Sequence, residues 1–163
     1  MNALELLKQQ HQEVSDLFEE FEGAGEGARM TKERLCLKIA DALAVHASIE
    51  EQIFYPESKQ ENTEDLLREA VEEHLSVKKL IADIMDSQFD DPQYDAKLKV
   101  LKEQVEHHVE EEEQQLFPLV ARNCSEEELA EMGDRMQQLA EELQSAGSPS
   151  SEIPGQTDQP API

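Results

Sequence analysis

Four histidines and two glutamates stand at spacings that suit a metal centre. The four histidines each fall in the middle of an apolar stripe with helical periodicity, and they are His11, His46, His74 and His108. Glu50 follows the second of them and Glu112 follows the fourth, each by four residues. Positions four apart lie on one face of a helix, one turn from each other. Each pair therefore directs an imidazole and a carboxylate to one point.

The two carboxylates need a partner inside the protein. A carboxylate in an apolar core is costly unless it is paired or bound to a metal ion. The apolar stripes that contain Glu50 and Glu112 hold no Arg or Lys. A metal is thus the simplest explanation. Mixed imidazole and carboxylate ligands suit iron, with manganese and zinc as alternatives. Because each carboxylate has two oxygens, the pair is able to bridge two ions in a dinuclear site.

The six residues belong to an internal repeat. The segments 46–56 and 108–118 both begin with His and carry Glu at the fourth following position, an aromatic at the ninth and Pro at the tenth. Around His11 and His74, apolar residues recur at −7, −4, +3, +7 and +10. The repeating unit is a helical hairpin, and two such hairpins are expected to pack about a pseudo-twofold axis.

The elements that position these residues are predicted to be helices throughout. Four amphipathic stripes favour an all-α fold, an up-down-up-down four-helix bundle. We expect the glycine-rich stretch 23–27 to end the first helix, Asn62 or Thr63 to cap the third, and Asp91 with Pro92 to start the fourth. A capping-box pattern at Ser125 predicts a short fifth helix. Residues 1–145 would form this bundle with its added helix. Residues 146–163, rich in Ser, Pro, Gly and Gln, are predicted to be a disordered tail.

The composition of the chain limits the classes of partner that the protein is expected to bind. The 163 residues include 14 basic and 38 acidic side chains, for a formal net charge of −24. So large an excess of acid repels phosphate backbones and anionic membranes, so we expect neither a nucleic acid nor a membrane as partner. The N-terminus lacks the pattern of a signal peptide. Cys36 and Cys124 show no metal or disulfide spacing. The expected setting is the cytoplasm, with two partly buried thiols.

For several residues close in sequence to these six, the sequence allows more than one role. His107 competes with His108, but the apolar stripe and the repeat alignment both favour His108. Glu51 and Tyr55 are candidates for extra ligands or for supporting the ligands, although a surface acid and packing at the bundle end are the favoured interpretations. We expect solvated charges at the remaining nearby acids, Glu110, Glu111 and Glu113.

The combined spacing resembles that of the hemerythrin-like HHE cation-binding domain family, over residues 1 to about 120. The Phe-Tyr-Pro and Leu-Phe-Pro sequences that close the two repeats are also typical of that family. The resemblance implies two irons. It assigns nitrogen ligands at His11, His46, His74 and His108, and bridging carboxylates at Glu50 and Glu112.

Two positions depart from the oxygen-carrying hemerythrins of invertebrates. Those proteins have a second His one turn after the third-helix His, where this chain has Lys78. They also have an Asp where this chain has Glu113. One fewer His leaves a coordination position for water, another carboxylate or an exogenous ligand. We expect Lys78 to extend to solvent.

These features predict a non-haem di-iron protein that binds iron and small ligands such as oxygen, peroxide or nitric oxide. The alternatives are a di-iron enzyme that processes peroxide or nitric oxide, and an iron- or oxygen-responsive interaction module. A monomer or a homodimer is expected, and the sequence identifies no protein partner.

Overall fold

A computed structural model describes residues 1–25 and 28–163 of the chain. Glu26 and Gly27, the last two residues of the glycine-rich stretch, lie outside the described residues. The first helix ends at Gly23, within the stretch predicted to end it. The backbone N–H of Ala24 closes that end by donating to carbonyls of the last turn.

The described residues form a helical bundle without strands, as predicted. The four long helices of the two hairpins are α1 (Ala3–Gly23), α2 (Arg29–Ile49), α4 (Glu64–Asp86) and α5 (Tyr94–Glu111). Two short helices, α3 (Tyr55–Ser58) and α6 (Phe117–Asn123), follow the hairpins. The fifth helix of the prediction is α7 (Glu126–Ser145), and the expectation that it is short is wrong because it has 20 residues. Helix α1 packs on α2 and α4 packs on α5, so each repeat is a hairpin, while α7 lies against α1 and α2. No described helix has an apolar stretch long enough to cross a membrane.

A π-helical turn follows the second helix of each hairpin. The first spans Glu50–Phe54 and the second spans Glu112–Leu116. Each turn is closed by an N–H that donates to a carbonyl five residues back, from Tyr55 to Glu50 and from Phe117 to Glu112. A proline comes directly after each of these aromatic residues. Because proline has no N–H, it interrupts the α-helical hydrogen bonds there and favours the wider turn.

The structure agrees with some of the predicted helix N-termini and differs at others. Helix α7 begins with the predicted capping box, in which the Ser125 hydroxyl accepts from the Glu128 N–H and the Glu128 carboxylate accepts from the Ser125 N–H. Thr63 occupies the N-terminal cap position of α4, but its hydroxyl donates to the Ser58 carbonyl at 2.7 Å and does not cap the helix. The prediction that Asp91 caps α5 is wrong, because α5 starts at Tyr94. The Asp91 carboxylate accepts from the Gln93 N–H at 2.8 Å and closes a turn before the helix.

The C-terminal segment also differs from its prediction. Residues 146–163 were expected to be disordered, but Pro149–Gln156 forms a 3-10 helix against α2 and α4. Ile153 is only 2% exposed, and Ser150 is fully buried. The Asp41 carboxylate accepts from the Ser150 N–H at 2.9 Å. One apolar anchor and one acceptor thus order a segment whose composition predicts disorder. The domain boundary at residue 145 stays a prediction.

Candidate metal centre

All six predicted side chains meet between the four long helices. They are 0–8% exposed, and their inward atoms form two groups, each with its atoms within 4.8 Å of one another. The first group contains His11, His46, Glu50 and Glu112. The second group contains Glu50, His74 and His108. Since Glu50 belongs to both groups, the arrangement has the form of two adjacent cation sites with a shared carboxylate.

Each carboxylate lies between histidines of different hairpins. The Glu50 Oε1 atom is 3.1 Å from His46 Nε2 and 3.1 Å from His74 Nε2. The Glu112 Oε1 atom is 3.3 Å from His11 Nε2 and 3.2 Å from His108 Nε2. The centre therefore follows the pseudo-twofold arrangement that the repeat predicts.

Most of the inward atoms lack a hydrogen-bond partner. Although the separations are short, the angles do not suit hydrogen bonds at five buried atoms, namely His11 Nε2, His46 Nε2, Glu50 Oε1, Glu50 Oε2 and Glu112 Oε1. In addition, the Nε2 atoms of His74 and His108 face each other at 3.1 Å. Buried polar atoms are nearly always satisfied in folded proteins. Cations at the centre would satisfy all of these atoms, so the residues present fit a metal.

The outer nitrogen of each imidazole is held by a polar side chain. The four contacts are His11 Nδ1 to Glu113 at 3.2 Å, His46 Nδ1 to Gln10 at 2.7 Å, His74 Nδ1 to Glu51 at 2.6 Å and His108 Nδ1 to Glu73 at 2.8 Å. An ionised carboxylate only accepts hydrogen bonds, so the nitrogen facing it must carry the proton. In a neutral ring the Nε2 lone pair then points inward, as a metal ligand requires.

These outer partners follow the same repeat. Gln10 and Glu73 each come directly before the first histidine of a hairpin, and Glu51 and Glu113 each come directly after the inward glutamate. The interpretation of Glu51 as a surface acid is therefore wrong, because its side chain is only 12% exposed. Glu113 is 37% exposed and combines contact with solvent and the hydrogen bond to His11. Sequence reasoning missed Gln10 and Glu73 altogether. Comparison of the repeats at the flanking positions is the signal that would have found all four.

Known proteins resemble this chain in sequence and in structure. The family profile of the hemerythrin HHE cation-binding domain matches residues 2–120. The chain belongs to this family. A solved structure, that of a hemerythrin HHE cation-binding domain-containing protein from Mycobacterium kansasii, is 22% identical with a TM-score of 0.79, and it covers 96% of this chain and 94% of its own. That likeness supports the fold.

A DNA nickase from Nostoc sp. is 26% identical over 128 residues, which make up 78% of this chain. Those residues span 36% of the nickase, so the HHE domain corresponds to about a third of that relative.

One aromatic pair makes the two halves of the HHE domain unequal. Tyr55 is fully buried, and its hydroxyl donates to Glu112 Oε2 at 2.8 Å. The same hydroxyl lies 3.2 Å from His74 Nε2 and 3.4 Å from His108 Nε2. The residue at the equivalent repeat position is Phe117, whose ring stacks on His11 with centroids 5.9 Å apart. The interpretation of Tyr55 as packing at the bundle end thus missed a polar group at the centre.

Lys78 also differs from its prediction. It is buried rather than extended to solvent, and its ammonium donates to Glu51 Oε1 at 2.8 Å. Glu51 therefore contacts Lys78 with one oxygen and His74 with the other. This ion pair fixes the carboxylate that orients the His74 ring.

The charges of the centre compensate one another without metal. Burial alone lowers the pKa of His108, but the carboxylates of Glu112, Glu50 and Glu73 together outweigh it and hold that pKa well above its ordinary value. The pKa values of His11 and His74 are raised in the same way. Burial raises the pKa of Glu50, yet the surrounding histidines bring it well below its usual range. The inward carboxylates thus favour the protonated forms of His11, His74 and His108 in the metal-free protein.

His107 lies outside the centre, as predicted. Its side chain is 64% exposed and approaches Glu73 and Glu111 at 3.5 Å. With Glu69 these three side chains form an acidic cluster at the surface.

Proposed function

We propose that this HHE domain is a non-haem di-iron protein that binds iron and small ligands such as oxygen, peroxide or nitric oxide. The observation that carries the proposal is the set of five buried, inward-facing polar atoms without hydrogen-bond partners. An apolar core accepts such atoms only when something charged or polar lies between them.

Two ions fit the donor set better than one. The two groups of inward atoms share Glu50, and the second carboxylate, Glu112, contacts one histidine of each hairpin. Either carboxylate could therefore be a ligand of two ions. Four imidazoles with two carboxylates suit iron, with manganese or zinc as alternatives. When bound, iron supplies redox chemistry and open coordination positions for a small ligand.

The chain's own residues supply binding, orientation and the exclusion of water. The outer hydrogen bonds fix the imidazole rings with Nε2 inward, and second contacts of this kind commonly change metal affinity by about 10–100-fold. Phe54, Tyr55 and Phe117 are 0–2% exposed and close one end of the centre. Such a closed end keeps bulk water from the inward carboxylates.

Metal analysis with an optical spectrum tests the proposal. Metal-free protein loaded anaerobically with ferrous iron and then exposed to air should retain two irons per chain and show ultraviolet charge-transfer bands. His107→Ala is a control because this exposed histidine lies outside the centre, and it should retain both irons. Substoichiometric iron without such bands would overturn the proposal. Parallel loading with manganese and zinc identifies the preferred metal.

A second candidate is a di-iron enzyme that processes peroxide or nitric oxide, and Tyr55 favours it. Burial and the charges of Glu112 and Glu50 hold the pKa of Tyr55 well above its ordinary value, so the phenol keeps its proton. This proton lies on Oη, which faces Glu112 and two imidazoles. Tyr55→Phe should retain iron and lose peroxide consumption, whereas Tyr94→Phe should retain both. Equal rates in wild type and Tyr55→Phe would remove this candidate.

The nicking activity of the Nostoc relative is not extended to this chain. A net charge of −24 opposes contact with a phosphate backbone, and the match spans only 36% of that relative.

The cytoplasmic location of this protein stays a prediction.

A further inference from the structure

A cavity of about 380 Å³ lies beside the candidate metal centre. Its wall includes all four imidazoles, but neither Glu50 nor Glu112 belongs to it. The cavity therefore borders the four imidazoles, which together form a histidine layer, on a side where neither carboxylate lies. Any molecule in the cavity would lie in contact with the imidazoles.

The rest of the wall is mainly aliphatic. Its apolar side chains come from all four long helices and include Val14, Leu43, Ala44, Val77, Ile81 and Val105. The charged side chains in the wall are few. Lys78 is held by Glu51, and Glu152 belongs to the C-terminal segment. An apolar wall with a few polar groups at one end is typical of a site for a small organic molecule.

The size of the cavity exceeds what a diatomic ligand requires. An apolar cavity of about 150 Å³ is enough to bind benzene. The volume here is about 380 Å³, more than twice as large. Its inner wall consists of the histidines and buried aliphatic side chains, and its outer wall includes exposed residues of the C-terminal segment such as Glu152. The volume fits an organic molecule with a chain of several carbons.

The C-terminal 3-10 helix, Pro149–Gln156, forms part of the cavity wall. Ile153 is its buried apolar anchor. Its polar attachment is Asp41, which accepts from the Ser148 hydroxyl at 2.7 Å and from the Ser150 N–H at 2.9 Å. A short segment with so few attachments opens at a lower free energy than the helices of the core. It is therefore the part of the wall best suited to admit a ligand.

We propose that this cavity binds an apolar organic molecule of about the size of a medium-chain alcohol, with its polar end against the histidine layer and its chain along the aliphatic wall. The ligand enters where Pro149–Gln156 lifts from α2 and α4. The site goes beyond iron and diatomic ligands, and it is present in the metal-free protein.

A series of straight-chain alcohols from butanol to dodecanol tests the site with metal-free full-length protein. Calorimetry should show affinity rising about fourfold with each methylene, which corresponds to about 0.8 kcal/mol, until the chain fills the cavity. Amide resonances of Val105 and Ile153 should shift on binding. Absence of binding across the series would overturn the proposal, as would entry of xenon without any alcohol, which would show a passage for gases alone.

Two substitutions fill the cavity, and one provides a matched control. Val105→Phe and Val77→Phe place a ring in the cavity from α5 and from α4, and each should weaken octanol binding at least tenfold. Val100→Phe lies on α5 with the native valine 43% exposed, and it should bind octanol as wild type does. Undiminished binding in whichever cavity variant retains the wild-type helical spectrum would overturn the proposal. Because these measurements use metal-free protein, their outcome is independent of iron binding.

Discussion

The two halves of the centre have the same framework but different chemistry. In one half, His11 and His46 lie near Phe117 and Gln10, an aromatic ring and a neutral amide. In the other half, the equivalent positions are Tyr55 and Glu73, a hydroxyl and a carboxylate. The repeat thus determines the positions from which side chains point into the centre. The residue types at single repeat positions determine which chemical groups each half contains.

The halves also differ in one of the two outer partners. His11 and His74 both face a carboxylate, Glu113 and Glu51. His108 faces Glu73 as well, and a carboxylate partner makes an imidazole more basic. His46 instead faces the amide oxygen of Gln10, which carries no formal charge. We therefore expect the half that contains His74 and His108 to hold its cation more tightly.

Glu50→Gln should have the largest effect because Glu50 belongs to both halves. An amide lacks the negative charge and the second oxygen needed to bridge, so metal content should fall from two ions per chain to less than one. Mass spectrometry of loaded protein measures this. Glu72→Gln, at an exposed position of α4, is the control and should retain both ions. Two ions in Glu50→Gln would show that the carboxylate is not shared.

Substitutions confined to one half should remove one ion. His11→Ala leaves the group of Glu50, His74 and His108 intact, and His74→Ala leaves the other group intact. Each variant should retain about one ion per chain, with tighter binding in His11→Ala. Chelator competition gives the two affinities. Equal affinities would contradict the inequality of the halves.

Tyr55→Phe should make the halves more alike. Loss of the hydroxyl leaves Glu112 Oε2 without its donor in the metal-free protein, at a cost of about 1–3 kcal/mol in the free energy of unfolding. Urea denaturation with chelator present measures the change. Tyr94→Phe replaces the protein's other tyrosine, which lies away from the centre, and should cost less. A smaller loss in Tyr55→Phe than in Tyr94→Phe would contradict the structural role of the hydroxyl.

Exchange of the side chains that contact the outer imidazole nitrogens should have the smallest effect on metal affinity. The effect should have opposite signs in the two halves. Gln10→Glu gives His46 a carboxylate partner and should tighten metal binding in its half, whereas Glu73→Gln should weaken binding at His108 by roughly tenfold. Titration with a chromophoric chelator follows both. Gln9→Ala is the control on α1, since Gln9 is exposed and its side chain donates a hydrogen bond to Glu13. Changes of the same sign in both variants would argue against matched roles.

The fold and the inward residues were predictable because helical spacing alone determines them. The apolar stripes gave the helices, and the histidines within the stripes gave the six-residue set. Hydrogen bonds between different helices were not predictable in this way. Glu73 contacts a histidine on α5, and Lys78 reaches a glutamate in the π-helical turn after α2. Spacing within one helix carries no information on which neighbouring helix a side chain meets.

The C-terminal segment shows another limit of composition. Low apolar content predicts disorder because a segment of that kind buries little surface on its own. Ile153 is buried by a hydrophobic cluster that the rest of the chain has already formed. This one buried side chain, together with the Asp41 acceptor, was therefore enough to order Pro149–Gln156, and average composition does not reveal such residues.

The π-helical turns have a consequence for the angular order of side chains around the helix axis. In a regular α-helix, residues five apart differ by about 140° in direction, so Glu50 and Tyr55 would face different sides. The hydrogen bond from the Tyr55 N–H to the Glu50 carbonyl widens the turn and so reduces this angular difference. The same widening acts between Glu112 and Phe117. Each wide turn thus shifts the helical phase, so that a carboxylate and an aromatic ring five residues apart lie closer in direction than an α-helix would place them.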